Sequence, residues 1–237
     1  MVEELVETRA ESFWTPERRR DALVIMLTLV TGAVDAIGLL RLGGVFTSVM
    51  TGNMVLLGLA TAHHDASIAL HTGVAFLAYV VGSFVGARVA GHAQGEEPLW
   101  PRPVVMALAT ELAVMAVFAV WWELVHAAPS TGVAYALLGL NAMALGVQSA
   151  AVLRFGISGL STTYLTGTLT QFIAGLTKRH EPIQGRAALI LLALIVGAAA
   201  GATAALHAPY VAPLVPTGIL AVVVVGGWLS FHRRGPA

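Results

Sequence analysis

The feature that most constrains this chain is a series of six apolar stretches, each of about twenty residues. A helix needs about 20 mainly apolar residues to cross the hydrocarbon core of a bilayer. The stretches run approximately over Ala22–Leu40, Thr72–Gly91, Pro103–Val125, Val133–Leu153, Ala187–Leu206 and Leu214–Phe231. We therefore predict an all-α membrane protein with six transmembrane helices.

Composition excludes most soluble classes of protein. Charged residues make up 11% of the 237 residues, whereas soluble domains carry about 25%. The formal net charge is zero, so no nucleic acid partner is expected. There are no cysteines, which excludes disulfides, thiolate metal sites and a cysteine nucleophile.

Two further stretches, residues 42–62 and 155–177, are apolar but interrupted by polar residues. Each contains a Thr-Gly pair near its middle, Thr51-Gly52 in the first and Thr166-Gly167 in the second. Glycine permits a turn and threonine can cap a following helix, so the pairs predict helix breaks.

Basic residues indicate how the interrupted stretches meet the membrane, because cytoplasmic loops are enriched in Lys and Arg. If both stretches cross, nine of the thirteen basic residues lie on the N-terminal side and four lie on the other. If both enter and leave on one side, twelve share the N-terminal side and only Arg41 does not. The second arrangement predicts two re-entrant half-helices beside the six crossings, with both termini in the cytosol.

The two halves of the sequence resemble each other. Thr51-Gly52 recurs 115 residues later as Thr166-Gly167, and the pair Gly82 and Gly86 recurs at the same spacing as Gly197 and Gly201. Spacings of 113 or 114 residues relate four more pairs: Gly32 and Gly146, Ala36 and Ala150, Arg41 and Arg154, Gly43 and Gly156. Each half has an odd number of crossings, so the halves are predicted to be inverted repeats.

These patterns divide the chain into three parts. Residues 1–21 contain ten charged residues, too many for a signal peptide, and we interpret them as a cytosolic segment. Residues 22–127 form the first membrane repeat and residues 133–232 the second, within one integrated membrane domain.

Several motifs resemble the YoaK family, a bacterial membrane family classed as a domain of unknown function (number 1275). They are Gly32 to Asp35, Val45-Phe46, Thr51-Gly52-Asn53, Gly146-Val147-Gln148 and Thr162-Thr163 to Thr166-Gly167. The resemblance covers roughly residues 20 to 232 and implies a multi-pass plasma membrane protein, but it implies no substrate or reaction. Ser149 departs from the family, which often has Asn after Gln, so we expect one side-chain amide contact to be missing there.

The two helix breaks form the first candidate site. About ten residues return from each break to the surface, which spans about half of the hydrocarbon core. Both helix N-termini then lie near the midplane, where free N–H groups and the helix dipole favour an anion. The side chains that add hydrogen bonds are Thr51, Asn53, Thr166 and Thr168. The pattern predicts a binding site for a small polar or anionic solute; the alternative is close packing of two hairpins.

Two acidic residues lie within predicted crossings. Asp35 is two-thirds along the first, where an isolated carboxylate costs several kcal/mol. It is either a proton or cation coupling site or a cap for the neighbouring half-helix, and as a cap it favours a cation or zwitterion over an anion. Glu111 lies in the third crossing and is either a proton relay or a partner of Arg88 or Arg102.

The remaining candidates are polar side chains near the breaks. Arg41 and Arg154 occupy corresponding repeat positions and either contact an anion or face the lipid headgroups. Thr163 and Gln148 join the candidate binding set, and Gln148 and Asn141 either line a cavity or bond between helices.

The cluster of His63, His64, Asp65 and His71 has residue types that bind metals. Its spacing fits no metal signature, so no metal site is expected. The sequence also lacks serine hydrolase, phosphate-loop and zinc protease motifs. We therefore expect neither an enzyme nor a cofactor.

Together these features predict a small secondary transporter or channel. The alternative is a non-transporting scaffold, sensor or assembly factor. The expected partners are membrane lipid and a small polar solute. The Gly-xxx-Gly pairs predict tight packing between helices, with a homodimer as the alternative use.

Overall fold

The structure is a computed structural model that describes residues 15–92, 100–155, 162, 165–176 and 183–232. Within these ranges the chain forms eight α-helices and no strand. They are α1 (Pro16–Arg41), α2 (Met50–His63), α3 (Ala66–Ala90), α4 (Arg102–Leu124), α5 (Thr131–Leu153), α6 (Leu165–Leu176), α7 (Ile183–His207) and α8 (Leu214–His232). The predicted all-α class is confirmed, whereas most of the segment 1–21 lies outside the described residues.

Helix length separates the spanning helices from the short ones. Helices α1, α3, α4, α5 and α7 are long and apolar enough to cross a membrane, and α8 has a shorter apolar run, Leu214–Leu229. Helices α2 and α6 have 14 and 12 residues, which span about 21 and 18 Å, less than the hydrocarbon core of about 30 Å. Many large apolar side chains on the long helices are exposed, as expected for a protein embedded in lipid.

Helices α1 and α3 each have an N-cap residue whose side chain bonds to the first turn of the helix. The Thr15 hydroxyl accepts a hydrogen bond from the Arg18 N–H, and Asp65 accepts from the N–H groups of Ser67 and Ile68. Helix α2 begins differently, because its N-cap residue, Val49, makes no side-chain cap. The start of α2 must therefore be held by contacts from elsewhere in the bundle.

Two clusters of buried side chains show how the helices run. One cluster joins the first half of α1 to the last turns of α3 and α5 and to the start of α4. The other joins the last turns of α1 and α4 to the first half of α3 and α5. Representative members are Val24, Ala90, Val104 and Val152 in the first cluster and Ile37, Ala75, Phe118 and Leu137 in the second. Helices α1 and α4 therefore run from the N-terminal end of the bundle, where α1 begins, to the opposite end, and α3 and α5 run back.

Helices α3 and α5 approach so closely that the contact requires glycine. A Cβ atom at Gly82 would overlap the backbone of Met143, and one at Gly86 would lie 2.7 Å from the carbonyl oxygen of Val147. The residue numbers rise together along the two helices, so α3 and α5 are parallel. Such small-residue contacts are a common way for helices to associate in lipid.

Helices α1 and α7 make a second contact of the same kind. A Cβ atom at Gly197 would overlap the backbone of Leu29, and one at Gly201 would meet the backbone of Ala33. From the other side, a Cβ at Gly32 would overlap the backbone at Leu194. Both Gly-xxx-Gly pairs are thus used for close helix packing within the chain, as the sequence predicts.

We expect Gly82→Leu to lower the free energy of unfolding by about 1–3 kcal/mol or more, because the added side chain forces α3 away from α5. Thermal unfolding of the purified protein in detergent measures the loss. Gly73→Leu is the matched control in the same helix, since nothing lies within 4 Å of a Cβ there. Equal stability of the two variants would contradict the close approach of α3 and α5.

Candidate functional site

Asp35 organises the chain that leads into α2. It is buried in α1, and its Oδ1 accepts hydrogen bonds from the backbone N–H groups of Thr47 and Ser48 at 2.7 and 2.8 Å. The hydroxyls of Thr47 and Ser48 donate to Oδ1 and Oδ2. Hydrogen bonds to an ionised carboxylate are roughly twice as strong as neutral ones. The carboxylate therefore holds the segment before α2 against α1, inside the bundle.

Asn53 completes this arrangement from the second turn of α2. Its side chain is fully buried; its Oδ1 accepts from the Phe46 N–H at 3.1 Å and its Nδ2 donates to the Phe46 carbonyl at 2.6 Å. The amide satisfies both backbone groups of a residue that belongs to no helix. Because unpaired backbone groups are costly inside a membrane protein, Asn53 stabilises the irregular segment.

Gln148 performs a similar task for the chain that leads into α6. It is fully buried in α5, and its amide nitrogen lies 3.0 Å from the Thr162 hydroxyl, 2.8 Å from the Thr31 hydroxyl and 3.3 Å from the Leu27 carbonyl. Thr162 is also buried. One side chain thus ties α5, α1 and the segment before α6 together.

The two anchored segments meet the same face of α1. Thr31, which Gln148 contacts, and Asp35, which holds Thr47 and Ser48, are four residues apart on the helix. Residues at this spacing lie one above the other on a helix face. Two hydrogen-bonded groups of buried side chains therefore meet α1 one turn apart, one from the segment before α2 and one from the segment before α6, and we call them together the buried polar chain. Its members are Ser48, Thr47, Asp35, Thr31, Gln148 and Thr162.

The Thr-Gly pairs themselves lie outside this chain. Thr51, Thr166 and Gly167 are exposed and Gly52 is half-buried. Helix α2 packs on α3 and α6 packs on α7, and α2 and α6 do not contact each other in the described part of the structure. The predicted Thr-Gly residues are therefore not brought together.

Other predicted site residues are found in different surroundings. Asn53 and Thr168 are buried, whereas Thr163 lies outside the described residues. The residues that sequence reasoning missed are Thr31, Thr47, Ser48 and Thr162. A signal for three of them was present, since a hydroxyl pair precedes each Thr-Gly pair at the repeat spacing.

Arg41 supports the opposite end of the bundle. Its guanidinium donates to the Ala127 carbonyl at 2.8 Å and lies 5.8 Å from the centre of the Trp122 ring. Ala127 has a positive φ of 54°, so the arginine binds a carbonyl of a tight turn after α4. Arg154, its counterpart in the sequence, is half-buried just after α5.

Two polar residues of the interior have no hydrogen-bond partner among the described residues. Both carboxylate oxygens of Glu111 are buried and unpartnered, and so are both polar atoms of the Asn141 side chain. Arg88 is exposed and its guanidinium lies 4.9 Å from the Phe84 ring centre. The alternative in which Glu111 pairs with Arg88 or Arg102 is not formed.

The histidine-rich turn has structural contacts. His71 Nδ1 lies 2.7 Å from the Ser67 carbonyl oxygen, and its ring lies 4.4 Å from that of Tyr135. Across the described ranges, no group of three His, Asp or Glu side chains is placed to hold a metal ion. Ser149, the departure from the YoaK pattern, accepts a hydrogen bond from the Tyr79 hydroxyl at 2.8 Å, so a hydroxyl contact occupies that position.

Comparisons with known proteins give the family but no reaction. A family model described as a protein of unknown function (DUF1275) matches residues 23–226. The chain is 36% identical over 160 residues to the UPF0700 transmembrane protein YoaK of Bacillus subtilis (strain 168), a match that covers 68% of each protein. No solved structure matches the chain significantly.

We expect Asp35→Asn to lower the free energy of unfolding by about 1–3 kcal/mol, because the amide cannot accept all the hydrogen bonds that converge on the carboxylate. Chemical or thermal unfolding in detergent measures the change. Asp65→Asn is the matched control, since asparagine caps a helix about as well as aspartate. If both variants were equally stable, Asp35 would not hold the segment before α2.

Proposed function

We propose a function from the premise that the chain belongs to the DUF1275 family of transmembrane proteins, which includes YoaK. The proposal is a small secondary transporter, built from two inverted three-helix repeats, that moves a small polar solute. The observation that carries it is the buried polar chain that joins the two interrupted segments through α1. Binding sites at broken helices where inverted repeats meet are typical of secondary transporters.

The glycine contacts support the inverted repeat. Gly82 and Gly197 occupy corresponding positions in the two halves, and so do the residues that they face, Met143 and Leu29, with a spacing of 114. One turn further along both helix pairs, Gly86 and Gly201 also correspond, and the residues that they face are Val147 and Ala33, again 114 apart. Each half therefore gives its first long helix to a pair with the second long helix of the other half, as a two-fold relation requires.

The contacts of α2 support a re-entrant path. Thr47 and Ser48 bond to Asp35, six residues before the end of α1, or about 9 Å inside that end. Helix α2 then runs back to join α3, which begins at the opposite end of the bundle. In this topology α2 enters and leaves on one side. Helix α6 likewise enters and leaves on one side, at the N-terminal end of the bundle, where α7 begins.

The position of Asp35 restricts the solute that the site accepts. A carboxylate already occupies the backbone N–H groups of Thr47 and Ser48, which are the groups that an anion needs. The solute is therefore neutral or positively charged, with groups that bond to hydroxyl and amide side chains. Movement consists of rocking one helix pair against the other around the fixed polar chain.

A non-transporting scaffold is the second candidate, and one observation favours it. Asp35 accepts hydrogen bonds from four donor groups of Thr47 and Ser48, which is sufficient to explain the residue as a structural anchor. In that case the polar chain is dry and no solute passes. Both candidates are proteins of a bacterial plasma membrane with cytosolic termini, as the distribution of basic residues favours, surrounded by lipid and containing no catalytic residues.

Solute uptake by proteoliposomes tests the transporter. We expect the protein to accumulate at least one solute from a radiolabelled panel of amino acids, amines and polyols. Thr162→Val removes the hydroxyl that bonds to Gln148 and should lower uptake by about tenfold, the effect of one lost hydrogen bond of about 1.4 kcal/mol. Thr61→Val, the same change at an exposed site of α2, is the control. Uptake equal to that of empty liposomes for every solute would refute the proposal.

Cysteine accessibility tests whether the two short helices are reached from opposite sides of the membrane, because the native chain has no cysteines. We expect a membrane-impermeant maleimide to label Thr51→Cys from one side of the membrane and Thr166→Cys from the other. Leu77→Cys is the control, since that side chain is 65% exposed on a long helix and faces lipid. Thr51→Cys and Thr166→Cys variants that resist labelling as Leu77→Cys does, or that are labelled from the same side, would contradict the re-entrant topology on which the transporter is built.

A further inference from the structure

Glu111 is the one acidic side chain, within the described ranges, that is buried completely and has no hydrogen-bond partner at either oxygen. It belongs to α4, nine residues after Arg102, and takes no part in the polar chain that passes through Asp35. Its neighbours along α4 include Leu108 and Met115, both fully buried. The carboxyl group therefore lies inside the packed bundle and not at its surface.

The packing of α4 against α5 places two more unpartnered groups at neighbouring depths. These helices are antiparallel and joined by a short turn, and Phe118 and Leu137 belong to one buried cluster. If Phe118 of α4 is level with Leu137 of α5, Glu111 is about level with Ala144. Asn141 and Gln148 then lie about one helical turn to either side of Glu111. The Oδ1 and Nδ2 atoms of Asn141 and the Oε1 atom of Gln148 are buried without a hydrogen-bond partner.

No positive charge is placed to balance Glu111 on the helices that pack against α4. Helix α5 has Tyr135 as its titratable residue, and the described apolar run of α8 has none. Helix α3 has His71 and Tyr79, which bond elsewhere, and Arg88, which is exposed beside Phe84. On α4 itself, Arg102 and Glu123 are exposed near the two ends.

An ionised carboxylate in this position is unfavourable. Burial of an unpaired charge costs so much that the group takes up a proton or binds a cation instead. A protonated carboxyl group donates one hydrogen bond, and the amide oxygens of Asn141 and Gln148 are suitable acceptors.

We propose that Glu111 is an exchangeable proton-binding site, with Asn141 and Gln148 as the polar groups that stabilise its protonated form. The use of this proton to drive solute movement rests on the proposed transporter function, whereas the proton site itself does not.

The oxygen count favours a proton over a metal cation. Glu111 supplies two oxygen atoms, and Asn141 and Gln148 supply one each. Hard cations such as Mg²⁺ and Ca²⁺ take about six or more oxygen ligands, and Leu108, Met115 and Leu145, which are buried in α4 and α5, supply no side-chain oxygen. A proton needs no such shell.

Labelling with dicyclohexylcarbodiimide tests the site in the full chain, reconstituted in liposomes. This apolar reagent takes the carboxyl proton onto a nitrogen atom while the carboxylate oxygen adds to its central carbon, so it marks protonated carboxyl groups within the membrane. We expect mass spectrometry to find the adduct on Glu111. Its initial rate should fall about tenfold for each pH unit above the titration point, because the protonated fraction falls by that factor.

Competition by sodium ions distinguishes a proton site from a metal-cation site. Replacing choline chloride with sodium chloride should leave the labelling of Glu111 unchanged. Protection by sodium, or no labelling of Glu111 at any pH, would overturn the proton site. Glu111→Gln should lose the adduct, whereas Glu123→Gln, the same change at an exposed site of α4, should retain it.

The labelling experiment tests the proton site and the uptake experiment tests the transporter, so either proposal can be refuted without the other. Labelling of Glu111 without uptake of any solute would refute the transporter and leave the proton site standing. Uptake that is independent of a proton gradient, in a protein whose Glu111 is never labelled, would refute the proton site and leave the transporter standing.

Discussion

The hydrogen bonds between Asp35 and the segment of Thr47 and Ser48 are the interaction on which the arrangement depends. Backbone outside a helix cannot be left unpaired in a membrane protein, since lipid offers no hydrogen bonds. Asp35 accepts both backbone N–H groups of this segment, and Asn53 pairs both backbone groups of Phe46. Without these side chains an irregular chain beside α1 would be too costly, and α2 would have no fixed start.

The close contacts of glycine give the bundle two tightly packed helix pairs. Helices α1 and α7 touch backbone to backbone, and so do α3 and α5. Contacts of this kind tolerate no added side chain, so in the proposed transport motion each pair would move as one body. The proposed transport motion therefore has a defined joint between the pairs, and the polar chain from Ser48 to Thr162 crosses that joint through Thr31 and Gln148.

Much of the fold could be predicted from apolar length and from glycine spacing. The all-α membrane class follows from stretches of about twenty apolar residues, and the Gly82 and Gly197 motifs correctly indicated close helix contacts. Sequence alone could not say that Met143 and Leu29 of the same chain are the partners, because a Gly-xxx-Gly pair fits any helix that comes near it.

The site was harder to predict than the fold. Asp35 was identified by its depth in an apolar stretch, and capping was one of its two interpretations, but the donors Thr47 and Ser48 were missed. A turn that returns along a helix brings together residues twelve and thirteen apart, and no helical or strand period reveals that distance. One of the two interpretations of Glu111 paired it with Arg88 or Arg102, which are basic and were placed near the same inner interface, yet the guanidinium of Arg88 packs against Phe84.

The side of the membrane on which the α2–α3 turn lies tests the account most directly. Alkaline phosphatase or green fluorescent protein inserted after His64 reports that side, because the phosphatase folds outside the cytosol and the fluorescent protein inside it. A re-entrant α2 predicts phosphatase activity without fluorescence at His64, the opposite of a fusion at the N-terminus. Fluorescence without phosphatase activity at His64 would mean that α2 crosses the membrane, and the re-entrant topology would be wrong.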